Sequence, residues 1–319
     1  MSTVQAVLVD PNVAGRLALR PVDQPQARPS EAIIRVGAIS LNRGEINRAL
    51  AADAGWRPGW DIAGVVEQAA ADGTGPKQGA RVVGFLAASA GWAELVAVPT
   101  DCLAELPANV SLAQAATLPV AGLTALYVLE KGGSLLGKNV LVTGASGGAG
   151  HLACQIAVQA GAKQVIGVVR QVQYVQSVRE TGAEVIVSDD GKAAAQYGPY
   201  DVIAESVGGQ VLGNVMGMVA KEGICVNFGN SATPEVTFNL RNFFPIGGVK
   251  LYGFILFHEV KYESAASGLS RLVSLVSDGK LIPPISVEQP WEHIAEVAQQ
   301  LIARRFVGKA VLTVNPDLK

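Results

Sequence analysis

The chain has 319 residues, of which 49% are hydrophobic and only 16% charged, with a net charge of −2. Such a composition excludes disorder as the default state, and the length permits a large core and two domains. The near-neutral balance gives no electrostatic reason to expect nucleic acid or an anionic membrane as a partner.

The first fifteen residues lack the basic segment and long apolar core of a secretory signal. The longest apolar stretch, near 115–129, is broken by Pro119 and Gly122 and falls short of the roughly 18 residues a membrane span needs. Cys102, Cys154 and Cys225 are widely spaced, with no metal-like or redox spacing. A soluble chain in the reduced cytoplasm is expected, its cysteines serving as small core residues.

Short apolar or alternating runs at 4–9, 31–39, 62–68, 81–85 and 93–98, punctuated by Gly, Pro, Asn and Asp, predict a β-rich first domain. Ser111 is a plausible N-cap for a helix carrying Leu112, Ala115, Ala116 and Leu118, which Pro119 interrupts. Strands and helices then alternate. Strands are predicted at 139–143, 164–169, 184–187, 200–205, 224–229 and 250–256, and helices at 148–160, 171–181, 209–220 and 262–278. This order predicts an open, doubly wound parallel sheet. Past Pro283-Pro284 come a strand, a helix near 291–304 and a last strand at 309–314, expected to rejoin the first domain.

The richest motif is VTGASGGAG at 142–150, four glycines in the turn between a strand and an amphipathic helix. Ala145 stands where the usual Gly-x-Gly-x-x-Gly pattern begins, and Gly147 and Gly150 complete the pattern. Gly147 would let the backbone approach a pyrophosphate, and Gly150 would let the helix pack closely on the strand. The N–H groups at the helix start, through Ser146, Gly148 and Ala149, would face the phosphates. About 20 residues on, where an acidic residue would read the ribose hydroxyls of NAD, the chain instead reads IGVVRQVQY. The Arg170 guanidinium suits a 2′-phosphate and Tyr174 could add a hydroxyl, so the cofactor read from this segment is NADPH. The other reading of Arg170 is an arginine that merely snorkels at a strand end.

These residues, with SLNRGEIN (40–47), GWDIAGVVE (59–67), QGARVVGF (78–85), GWAELVAVP (91–99), the run 106–129, DVIAESVGG (201–209), VNFGNS (226–231) and VGKAVLTV (307–314), resemble the medium-chain dehydrogenase/reductase superfamily and its zinc-independent quinone oxidoreductases. The resemblance spans nearly the whole chain. It implies an α/β protein with a GroES-like β-rich catalytic domain (1–111 and 281–319) and a Rossmann NADPH-binding domain (112–280), the active site lying in the cleft. It also implies a homodimer or homotetramer pairing through the edge strand near 250–256. Catalytic zinc in zinc-dependent relatives needs a cysteine near Asn42 and a His-Glu pair near Trp60-Asp61; neither is present, so no metal is expected.

Without zinc, already activated acceptors fit best: quinones or α,β-unsaturated carbonyls that take hydride while fixed donors face the oxygen. The resemblance points to Asn42 as such a donor, although an amide ordering its own loop is the equal alternative. It places Thr124 beside the cofactor, with Val207, Phe228, Gly229, Asn230 and Phe254 around the nicotinamide end, and it makes Glu45 a loop-ordering residue. The tyrosine that many relatives carry before GWDIAG is missing. Trp56 and Trp60 either wall the substrate pocket with Phe254 or simply cover apolar surface, and the proton could come from water. Two other functions stay open. One is an enoyl reductase acting on a 2-enoyl thioester or polyketide-type intermediate, helped by a basic rim of Arg43, Arg48 and Arg57. The other is a non-catalytic NADPH-binding module.

Overall fold

The computed structural model describes residues 2–318. By contact the chain falls into two compact units, one running through Leu123 and resuming at Val260, the other Thr124–Glu259. The helix at Ala265–Ser277, capped by the Ser264 side chain, packs on strands of the first unit and is counted with it.

In the first unit, β1 (Thr3–Val9) and β2 (Leu17–Asp23) make an antiparallel ribbon. The proline inside β2 hides that strand from the pattern of the sequence, and it is tolerated because the ribbon has only two strands and therefore two edges. β3 (Glu31–Ser40) is the organising strand, buried along most of its length. It pairs antiparallel with β4 (Asp61–Gln68) and β6 (Leu95–Pro99), while β5 (Arg81–Phe85) and β7 (Leu103–Glu105) extend the sheet beyond β4. Ile34, Ile39, Ile62, Phe85 and Trp92 are fully buried here, each such side chain worth about 1.5–3 kcal/mol of transfer free energy. The motif after β3 enters a helix, Arg43–Ala51, directly behind Asn42.

The second unit begins inside the helix of Leu123–Glu130, at Thr124, and then builds a six-stranded parallel sheet. Its strands are β8 (Asn139–Thr143), β9 (Gln164–Val169), β10 (Glu184–Val187), β11 (Tyr200–Glu205), β12 (Val219–Asn227) and β13 (Lys250–Gly253). Their spatial order is β10-β9-β8-β11-β12-β13. Counted within the unit this is 3-2-1-4-5-6, the doubly wound Rossmann order, whose direction reverses between β8 and β11. β13 is shorter than the run 250–256 predicts, because the chain turns at Phe254 and forms a helical turn at Leu256–Glu259.

The chain then returns with β14 (Ile285–Pro290), the helix Ile294–Ile302 and β15 (Lys309–Thr313), which pairs antiparallel with β3. β3 therefore has β15 on one side and β4 on the other, and its C-terminal end meets the N-terminal ends of both. Among the described residues no helix is long and apolar enough to cross a membrane.

Candidate active site

In the second unit, β8 ends at Thr143 and the chain turns at Gly144, whose φ of +59° lies in the left-handed region that favours glycine. Ala145 is fully buried and its N–H donates to Val168 O at 3.1 Å. Its methyl faces Gly167 of β9, where an added Cβ would approach it to 3.1 Å. Position 145 thus points into the packing between turn and sheet, and a single methyl fits. Gly150 has no such room, since a Cβ there would stand 2.4 Å from Gly144 O.

Gly147 behaves differently. It caps the helix Gly148–Gln159 with an ordinary φ of −81°, and an added Cβ would meet only Gly144 O, at 3.4 Å. Neither backbone conformation nor internal packing asks for glycine there. The first bond of the helix runs from His151 N to Gly147 O, so the N–H groups of Gly148, Ala149 and Gly150 have no acceptor within it. A bare, exposed glycine beside these donors at a helix start fits a diphosphate.

Glu205, at the end of β11, organises the neighbouring loops, a role the sequence reading passed over. Its buried carboxylate accepts from Thr143 Oγ1 (3.1 Å), Val207 N (2.7 Å), Gly208 N (3.1 Å) and Asn227 Nδ2 (2.6 Å). Burial pushes its pKa up, and the hydrogen bonds from the two backbone amides, Asn227 and Thr143 oppose that rise. One carboxylate therefore ties together the C-terminal ends of β8, β11 and β12. The loops beyond them are stitched further: Phe228 N donates to Glu205 O, Ala232 N to Val207 O and Phe254 N to Asn227 O, each at 2.8 Å. Gly229 lies against the same turn, where a Cβ would be 2.8 Å from Ser206 O. Val207, Phe228 and Gly229 are half-buried, Asn230 is exposed, and Phe254 and Thr124 are buried. Val207, Phe228, Gly229 and Phe254 all lie just beyond the C-terminal ends of β11, β12 and β13, on the side of the sheet that begins where its order reverses between β8 and β11.

Arg170 immediately follows β9 and is exposed, and among the described residues it has no hydrogen-bond or ion-pair partner. Tyr174 is half-buried in the short turn Val172–Tyr174. The guanidinium is thus one strand over from the glycine turn, since β9 pairs with β8 through Thr143↔Val168.

In the first unit, the junction of β3, β4 and β15 holds a buried polar cluster. The register sets Ser40 opposite both Asp61 and Val311, so Lys309 comes to the same end of the sheet. Asp61 is fully buried. Its Oδ2 accepts from Ser40 Oγ (2.8 Å), Asn42 Nδ2 (2.8 Å) and Lys309 Nζ (3.1 Å), and its Oδ1 accepts from Val120 N (2.9 Å). Lys309 Nζ also donates to Leu41 O (3.0 Å) and Asn42 Oδ1 (2.6 Å). Glu45 accepts from Gly59 N at 2.8 Å, and its other oxygen has no hydrogen bond within normal geometry among the described residues. Complete burial, and then the Asp61 charge, push the Glu45 pKa well up.

The tryptophans and arginines nearby are committed within the unit. Trp60 is buried, with its Nε1 donating to Ser89 Oγ at 3.0 Å. Trp56 is half-buried on the core and carries the Arg48 guanidinium over its ring at 5.1 Å. Arg43 donates to Leu301 O and Ile302 O at the end of the helix Ile294–Ile302, and Arg57 to Ala90 O. A cavity of about 270 Å³ on this unit, bordered by Arg35, Glu94 and Asn315, includes none of these residues.

Comparison with known proteins agrees with this architecture. Residues 28–108 match the family described as "Alcohol dehydrogenase GroES-like domain", and residues 148–272 the family described as "Zinc-binding dehydrogenase". The chain is 29% identical over 268 residues to the quinone oxidoreductase of Sus scrofa, covering 81% of this chain and 79% of that one. It is 28% identical over 312 residues to the 2-methylene-furan-3-one reductase of Solanum lycopersicum, covering 92% and 74%. A solved quinone oxidoreductase from Pseudomonas syringae pv. Tomato DC3000 superposes with a TM-score of 0.85 at 26% identity, over 98% of this chain and 100% of that one.

A GroES-like domain together with a nicotinamide-nucleotide-binding Rossmann sheet defines an oxidoreductase. The chain belongs to the medium-chain dehydrogenase/reductase superfamily, among its zeta-crystallin-like quinone oxidoreductases.

The residues present do not fit the zinc named in the second family's description. Among the described residues no three His, Cys, Asp or Glu side chains stand together. Burial pushes the thiols of Cys102 and Cys154 up to about 12, far from the thiolate a metal binds. His151 is a packing bridge: Nε2 donates to Ser177 O and Nδ1 accepts from Gln155 Nε2, both at 3.1 Å, and burial lowers its pKa.

Proposed function

We propose that the chain is an NADPH-dependent oxidoreductase that reduces a quinone or an α,β-unsaturated carbonyl without a metal. The observation that carries this reading is Arg170, an exposed cation with no partner among the described residues, placed where the adenosine ribose is read in a Rossmann fold. The bare edge at Gly147 and the N–H groups of Gly148, Ala149 and Gly150 hold the diphosphate, with Ala145 and Ser146 shaping the turn. Arg170 and Tyr174 take the 2′-phosphate. The Glu205-tied loops bearing Val207, Phe228, Gly229 and Asn230, with Phe254 and Thr124, border the nicotinamide ribose.

NADPH, when bound, supplies the hydride. Asn42 donates to the acceptor's carbonyl oxygen as negative charge grows there, the kind of fixed dipole that is worth most when it needs no rearrangement. No side chain here is assigned the proton, which comes from water. Arg43, Arg48 and Arg57 are each occupied within the first unit, which leaves the enoyl-thioester alternative without its basic rim. The protein works as a cytoplasmic homodimer, pairing through β13, whose neighbourhood exposes Leu251 and Ile255.

The test is spectrophotometric. NADPH is monitored at 340 nm against 1,4-benzoquinone, 9,10-phenanthrenequinone, an alkyl vinyl ketone and crotonyl-CoA. Turnover of a quinone or vinyl ketone supports the reading, exclusive turnover of the thioester replaces it, and tight NADPH binding with no oxidation by any acceptor leaves a non-catalytic module.

A further inference from the structure

We propose that Lys309 and Asp61 are positioning residues that fix the Asn42 amide in one orientation, so that it can only donate to what it meets. The proposal rests on the reading of Asn42 as the donor to the acceptor's oxygen. An asparagine amide is nearly symmetric in shape, and a half-turn exchanges its oxygen for its nitrogen. Here the two neighbours break that symmetry. Lys309 Nζ has only protons to offer and lies 2.6 Å from Asn42 Oδ1, while the Asp61 carboxylate only accepts and lies 2.8 Å from Asn42 Nδ2. A flipped amide would set N–H against ammonium and oxygen against carboxylate, two repulsions in place of two charge-assisted bonds.

The remaining valences are accounted for. The three protons of Lys309 face Leu41 O, Asn42 Oδ1 and Asp61 Oδ2, so the lysine has none left to hand to a substrate. Both Asp61 oxygens accept, from Ser40, Asn42, Lys309 and Val120. Of the Asn42 donors, one N–H is engaged and the second has no acceptor among the described residues, and Asn42 is only half-buried, unlike its partners. The site so made favours a carbonyl or enolate oxygen over a hydroxyl proton. Stability alone is a weak reason for such a cluster, because a buried ion pair is often matched by apolar residues of equal volume. The three parts come from distant segments, 40–42, 61 and 309, which antiparallel pairing of β3 with β4 and β15 brings to one point.

The test uses the full-length protein with NADPH and 9,10-phenanthrenequinone, comparing Asn42→Ala, Lys309→Met and Lys309→Gln. The glutamine keeps a donor for Asn42 Oδ1 and the methionine does not. Lys309→Met is expected to lower kcat by about 100-fold, to the level of Asn42→Ala, with NADPH affinity unchanged, as for loss of an oxyanion donor. Lys309→Gln is expected to recover at least about tenfold of this although its Tm falls as far as that of the methionine variant. Equal kcat in the two lysine variants, tracking Tm, overturns the proposal. Asn42→Ala at the wild-type kcat sinks the donor reading itself, whereas a slow Asn42→Ala beside a wild-type-like Lys309→Met sinks only the clamp.

Should the lysine variants not fold, NMR of the wild-type protein with ¹⁵N-labelled asparagine decides. The Asn42 side-chain pair, assigned by its loss in Asn42→Asp, should show one proton exchanging with water at least about tenfold more slowly than its twin, as one N–H is engaged and the other has no acceptor among the described residues. Equal exchange of the two protons overturns the clamp whatever the protein's activity.

Discussion

An added Cβ at Gly150 would stand 2.4 Å from the carbonyl oxygen of Gly144, whereas one at Gly147 would meet that same oxygen at 3.4 Å. Two glycines three residues apart in one turn therefore serve different ends. Gly150 is needed by the protein's own packing, whereas neither packing nor backbone asks for glycine at 147, the position proposed to face the diphosphate. The smaller change should do the greater harm to the fold. Gly150→Ala should lower stability by about 2–3 kcal/mol through backbone overlap. Gly147→Val should lower it by about 1 kcal/mol, the cost of a poor helix cap, yet abolish NADPH binding. Urea denaturation and isothermal titration of NADPH separate the two effects, and normal binding by Gly147→Val would mean the diphosphate lies elsewhere.

Removing the Arg170 guanidinium should cost NADPH affinity about 1.5–3 kcal/mol, roughly 10- to 100-fold, the range for a hydrogen bond to a charged group. NADH carries no 2′-phosphate and should bind Arg170→Ala and wild type alike. Fluorescence titrations with both nucleotides check this. Parallel losses for the two would make Arg170 a surface arginine of no special consequence. Since the side chain is exposed and without partners among the described residues, its loss should leave Tm unchanged.

Much of this was legible in the chain, for physical reasons that differ from segment to segment. The glycine turn and the alternation after residue 139 are local signals: turn chemistry and apolar periodicity act within a dozen residues, and the Rossmann order follows them. The first unit was harder to read. Ser40, Asn42, Asp61 and Lys309 form one cluster only because β15 returns to β3 after an intervening unit, and no local pattern announces that pairing. Glu205 was overlooked because a single acidic residue at a strand end looks like a solvated one; only its five-fold ring of donor contacts reveals a staple. The helix of Ala265–Ser277 carried the right periodicity, but periodicity does not say which sheet a helix covers.

Glu205→Ala should strand the N–H groups of Val207 and Gly208 and the Asn227 amide together. One buried donor left unsatisfied costs about 1–3 kcal/mol, so a loss of roughly 3–5 kcal/mol is expected, comparable to breaking a buried charged network. Glu205→Gln keeps one acceptor oxygen and should lose about half as much. The loops that Glu205 ties are those proposed to border the nicotinamide, so NADPH affinity should fall with stability in both variants. Denaturation midpoints with and without NADPH measure the coupling; a Glu205→Ala protein as stable as wild type would show the loops to be held by their backbone bonds alone.

Glu45 sets a pH dependence whose sign follows from its burial. Its carboxyl is fully buried, beside the Asp61 charge, with one oxygen lacking a hydrogen bond within normal geometry among the described residues, and its pKa stands well above the ordinary value. In the unfolded chain the same group ionises near pH 4.3. Between the two values the native state binds a proton that the unfolded state has released, so stability falls as pH rises through this window. Well below pH 4.3 the group is protonated in both states and contributes no slope. Glutamine has no proton to lose, and its carbonyl can still accept from Gly59 N, now held at 2.8 Å by the Glu45 carboxyl. Glu45→Gln should therefore come close to wild type in Tm at pH 4 and exceed it progressively toward pH 9. Thermal melts across that range test this directly. A Tm difference that stays flat or shrinks with pH would show that Glu45 ionises at an ordinary value, and that water reaches the turn at Gly59.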